Sequence, residues 1–109
     1  MDKIKEHFET EAKEFDEIII KLIPFYEQMV DSLVSSIHFN NNDEIRVIDL
    51  GCGTGTIAKK ISDRYKNSTI VCLDIAANMI EMAQFKLDRH PKTEFINGDF
   101  SKIGFTEKI

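Results

Sequence analysis

An apolar run that ends in three alternating glycines dictates the local topology of this chain. Val47, Ile48, Asp49 and Leu50 lead straight into Gly51, Cys52, Gly53, Thr54 and Gly55, and Ile57, Ile61 and Tyr65 then recur at helical spacing. The order is strand, tight turn, helix. Glycine reaches positive φ and has no Cβ, so alternate glycines let a ligand lie against the main chain. A helix that starts at once points its free N–H groups and the positive end of its dipole at the same place. That place, beyond the carboxyl end of the first strand, is where an open α/β sheet forms its ligand crevice.

The turn needs a domain around it, and 109 residues supply one at most; a chain of that size buries roughly 60–70% of the surface it exposes when unfolded. Apolar residues make up 42% and charged residues 30%, which excludes a disordered chain. The net charge is −5 and no dense Lys/Arg run occurs, so no nucleic-acid partner is expected. Apolar stretches such as Ile18 to Ile20 are far short of a membrane span, and residues 1–20 carry too many charges for a signal peptide. Cys52 and Cys72 show none of the spacings of a zinc site, so no metal and a reducing, cytoplasmic setting are expected.

Ile4, Phe8, Ala12, Phe15 and Ile19 fall on one stripe over residues 2–20, an amphipathic helix or two. It either packs on the rest of the fold or acts as a lid whose Phe8 and Phe15 help close a pocket. Pro24 stands where a second helix can begin, and Phe25, Tyr26, Met29, Val30, Leu33, Val34 and Ile37 give that helix a broad face that is expected to be buried. Asn40 to Asp43 form a polar turn. Strands are then predicted over residues 44–50, 68–73 and 93–97, with helices over 56–65 and 77–89 between them. The second helix turns Met79, Ile80, Ala83 and Leu87 inward and stops at His90-Pro91. This is the parallel half of a doubly wound sheet. Residues 100–109 hold no convincing fourth strand, so the first strand is expected to leave a hydrophobic edge that a missing part of the fold or a second copy would cover.

Two ligand classes compete for the turn. A dinucleotide site needs a third glycine where this chain has Thr56, and Asp49 entering the turn would repel a pyrophosphate while attracting an ammonium or a sulfonium. Asp74, 19 residues beyond Gly55, ends the second strand, where a carboxylate accepts from both hydroxyls of a ribose. Asp99 after the third strand is a third carboxylate on the same rim, able to accept from an exocyclic amine, and Ile75, Met79 and Phe100 are placed to sandwich a flat base. Each has a plainer reading: Asp49 as a turn-stabilising acid, Asp74 as a helix cap, Asp99 as part of a Gly-Asp turn, Met79 as core, and Cys52 and Cys72 as small buried fillers.

Taken together and in this order, VIDLGCGTG, LDIAANMI and NGDF resemble the first three motifs of the class I S-adenosylmethionine-dependent methyltransferases. The resemblance covers residues 47–100, roughly half of that family's fold. It implies a Rossmann-like parallel sheet flanked by helices, here truncated after the third strand, with residues 1–43 as an N-terminal helical cap and 44–109 as the cofactor half. It implies S-adenosylmethionine as cofactor, with Asp49, Gly51, Cys52, Gly53 and Gly55 along its methionine part. Asp74 would bind the ribose, Asp99 the adenine amine, and Ile75, Met79 and Phe100 the ring. Residues 14–30 are similar to helices that cap the pocket in small-molecule methyltransferases and carboxy-S-adenosylmethionine synthase-like proteins. The implied activity is methyl transfer to a small-molecule acceptor, with catalytic residues outside these motifs. A non-catalytic S-adenosylmethionine-binding module and an NAD-binding oxidoreductase domain are the alternatives.

Overall fold

Uninterrupted by Gly or Pro, residues 2–22 form a single helix, α1 (Asp2–Leu22), in a computed structural model that describes residues 2–102. Pro24 lies in the corner that follows, and Phe25 turns the chain in a left-handed conformation (φ 61°). Helix α2 (Tyr26–Ser35) therefore starts two residues later than Pro24 suggests. Its broad apolar face is not buried as expected. Val30 and Val34, one helical turn apart, are buried, whereas Phe25, Met29 and Leu33 are exposed. α2 packs on α3 and on α1, and Tyr26 and Ile37 of the same face are half-buried.

The polar turn closes through Asn40 N–H to Asp43 Oδ2 and Asp43 N–H to the Asn40 carbonyl. Strand β1 (Arg46–Leu50), helix α3 (Thr56–Arg64), strand β2 (Thr69–Asp74), helix α4 (Ala77–Lys86) and strand β3 (Thr93–Asn97) follow in strict alternation. α4 ends three residues before the predicted 89, and His90 N–H bonds to the Leu87 carbonyl in the turn ahead of Pro91. The three strands are parallel in the order β1-β2-β3. Asp49 pairs with Cys72 in one register and Asp74 with Asn97 in the other, so the strands' carboxyl ends form one rim. Helical crossovers are what a parallel pair requires.

α3 packs on β2, α4 on β2 and β3, and α1 on α4. Between them lies a core of Val34, Ile45, Ala58, Ile61, Tyr65, Ile70, Cys72, Ile80, Ala83 and Leu87. Tyr65 is buried because its hydroxyl donates to the Ile37 carbonyl at 2.9 Å, which satisfies the phenol inside the core. β1 is an edge strand with no fully buried residue, so its apolar run is not covered on both sides as such runs usually are. The predicted absence of a fourth strand falls partly on residues 103–109, outside those described.

Candidate functional site

The rim of the sheet is built by backbone first. Gly51, Gly53 and Gly55 all have positive φ, at 74°, 57° and 87°, a conformation that a Cβ disfavours. Their reasons differ in space. A Cβ on Gly51 or Gly53 would meet nothing within 4 Å, whereas one on Gly55 would lie 3.2 Å from Ala83 Cβ and 3.3 Å from Leu87 Cδ1. The first two glycines leave an open cradle, and the third lets α3 start against α4. The N–H groups of Gly51 and Cys52 both donate to the Leu73 carbonyl, which fastens the turn to β2.

Asp74 completes that fastening. Its Oδ2 accepts from Gly53 N–H at 2.9 Å and its Oδ1 from Ala76 N–H at 2.8 Å, just ahead of α4. That second bond goes to the residue preceding the helix, whose N-terminus has no side-chain cap, so the helix-cap reading is not met; each oxygen keeps a further lone pair for a ligand. Asn97, which the sequence reading passed over, ties β3 to this corner by donating from Nδ2 to the Asp74 and Ile75 carbonyls, both at 3.0 Å.

Asp49 is the unusual group. Its Oδ2 is the one buried side-chain oxygen among the described residues without a hydrogen-bond partner. Burial, and secondarily the Asp74 carboxylate, push its carboxyl above the ordinary range. Two acids thus lie within electrostatic reach below an open glycine turn, a field that favours a positively charged ligand. Burial and the carboxylates of Asp16 and Asp49 likewise raise the phenol of Tyr26, so the first residue of α2 lies within the field of Asp49.

Asp99 is half-buried, and its Oδ1 accepts from Ser101 N–H and Oγ at 2.9 and 2.7 Å. Those bonds hold its carboxyl below the usual range and form the local turn of its plainer reading. Ile75 and Phe100 are 72% and 55% exposed, and Met79 is half-buried; two apolar side chains stand in solvent at the rim without a partner ring or core. Cys52 turns its thiol inward, 3.5 Å from the Gly53 carbonyl, and its contact with Cys72 together with burial raises the Cys72 thiol. Both cysteines are free and buried, as their plainer reading expects. No group of three or more His, Cys, Asp or Glu side chains among the described residues is placed to hold a metal ion.

One cluster was not foreseen from spacing or motif: Asp16 of α1 and Lys86 of α4 meet Thr54 inside the glycine turn. Asp16 and Lys86 are 70 positions apart, and neither lies in VIDLGCGTG, LDIAANMI or NGDF.

A parallel sheet with a glycine turn after its first strand and a carboxylate ending its second defines an α/β protein of the nucleoside-binding class. The comparisons narrow it. The methyltransferase domain family matches residues 47–108, and the chain belongs to that family. It is 32% identical over 97 residues to malonyl-[acyl-carrier protein] O-methyltransferase 1 of Ilyobacter polytropus, covering 89% of this chain and 34% of that protein. It is 30% identical over 101 residues to carboxy-S-adenosyl-L-methionine synthase of Nautilia profundicola, covering 92% and 43%. The chain therefore spans well under half the length of these relatives. A crystal structure of coclaurine N-methyltransferase, bound to N-methylheliamine and SAH, shares the fold at TM-score 0.60 and 17% identity, over 73% of this chain and 24% of the other.

Proposed function

We propose that this chain forms the S-adenosylmethionine-binding part of a methyltransferase. The observation that carries the reading is the buried, unpartnered Asp49 oxygen beside a second carboxylate, below glycines whose Cβ directions are empty. An orphaned buried acid is costly unless something completes it, and a ligand with an ammonium and a sulfonium does so. Asp49 and the backbone of Gly51, Cys52 and Gly53 would hold the methionine part, with Gly55 setting the helix behind them. Asp74 would accept from the ribose hydroxyls with its remaining lone pairs. Ile75, Met79 and Phe100 would cover the base, which would bury apolar surface now in water, and Asp99 would meet the adenine amine through its second oxygen.

The bound ligand supplies an electrophilic methyl on sulfur. What these residues contribute is orientation of that group, and positioning is a large source of rate in such transfers. No residue of this chain is assigned to the acceptor. The relatives named for malonyl-[acyl-carrier protein] widen the acceptor class from small molecules to a carrier-bound acyl group. The unpaired edge of β1 supports association with a second copy.

Calorimetric titration with S-adenosylhomocysteine, with NAD as the control, tests the reading. Saturable binding of the first alone is the expected result. Binding of NAD alone would return the turn to the dinucleotide class, against Thr56.

A further inference from the structure

Lys86 ends α4, and its ammonium donates to Asp16 Oδ2 at 2.6 Å, Thr54 Oγ1 at 2.9 Å and Thr56 Oγ1 at 3.2 Å. An ammonium has three protons, and here each has an acceptor. Asp16 uses its other oxygen as well, accepting from Thr54 Oγ1 at 2.7 Å. The side chains of Lys86 and Asp16 are only 20% and 30% exposed, and Thr54 is buried. Solvent therefore screens this ion pair less than a surface one.

The cluster's place matters more than its strength. Thr54 stands between Gly53 and Gly55, and the neighbouring Gly53 N–H is held from the strand side by Asp74. Adjacent residues of the turn are thus pinned from different elements: one by β2, the other by α1 and α4. Glycines at positive φ have no side chains with which to stiffen such a turn, so tethers of this kind set its shape. α1 and α4 also meet through Phe8 stacked on Phe85 at 5.5 Å, and Ala12 and Met82 line the groove between the two helices. Apolar contact is non-directional, whereas charge-assisted hydrogen bonds fix geometry.

We propose that Lys86 and Asp16 are positioning residues that latch α1 onto the glycine turn and, through Thr54, hold the turn in its ligand-accepting shape. Neither is required to touch the ligand. The binding arm of the test rests on the function proposed above; the exchange arm does not.

Lys86→Met keeps the stem and its packing while removing the ammonium. In the full chain this variant is expected to weaken S-adenosylhomocysteine binding about tenfold, with Asp16→Asn doing the same. The double variant is expected to be no worse than the weaker-binding single one, because both break one unit. Without any ligand, amide hydrogen exchange of residues 51–56 is expected to speed up in Lys86→Met while that of β2 and β3 is unchanged. Thr54→Val, which removes only the hydroxyl, is expected to repeat the local effect to a smaller degree. Unchanged exchange at the turn, or an even rise across the sheet, would overturn the latch. Wild-type chain that binds no S-adenosylhomocysteine would remove the proposed function and leave the exchange result to decide the latch.

Discussion

Burial, and to a lesser degree the Asp74 carboxylate, hold Asp49 above the ordinary carboxylate range, so the folded chain keeps a proton there that the unfolded chain has already lost. Stability then falls as pH rises from the ordinary value through the raised one, and stays lower above it. Asp49→Asn never ionises. Above that window the variant is expected to be more stable than wild type by on the order of 1 kcal/mol, the scale of one unsatisfied buried polar group. The advantage is expected to vanish below the ordinary carboxylate range, where both side chains are neutral; urea unfolding at the two pH extremes reads it. The same variant is expected to bind S-adenosylmethionine about tenfold more weakly, which titration at neutral pH checks. Asp49 and Asp74 were legible in the sequence because their candidate chemistry is local, each acid lying at the end of a recognisable strand. Lys86 and Asp16 were not, since hydrophobic periodicity says nothing about which polar residues meet across 70 positions.

α3 and α4 meet at Gly55. There a side chain would combine a φ of 87° with a Cβ 3.2 Å from Ala83 Cβ, so both the backbone and the helix contact resist it. Gly55→Ala is expected to destabilise the chain by about 2–4 kcal/mol, from the left-handed conformation and from overpacking together. Gly51→Ala has open space above it and is expected to cost only the backbone part, about 1–2 kcal/mol. Paired urea denaturation curves separate the two, and equal losses would mean that helix packing does not discriminate between the glycines. The alternation of strands and helices was readable because apolar spacing switches cleanly between period two and helical period after each turn. What covers each face was not readable. α2 carries an apolar face in sequence, yet Phe25, Met29 and Leu33 stand in solvent, because amphipathicity reports that a face is apolar and not which element lies against it.

Among the described residues the sheet is unpaired on the outer side of β1, as it is on that of β3. Native edges avoid pairing with other chains through charges, bulges or covering elements. On β1, Arg46 is an exposed basic residue at the start of the strand, while Val47 and Ile48 are half-buried and Leu50 is half-exposed at its end. A net charge of −5 opposes association only at long range and is screened by salt. The chain is therefore expected to associate through this edge, with a sedimentation coefficient that rises with protein concentration. Leu50→Lys places a charge on the edge and is expected to suppress that rise with the circular dichroism spectrum unchanged. The exposed α1–α2 corner offers a competing surface, so Met29→Lys on α2 serves as the control and is expected to leave association intact. Suppression by Met29→Lys alone would move the contact to the helices, and concentration-independent sedimentation of the wild-type chain would show that the edge is protected as it stands.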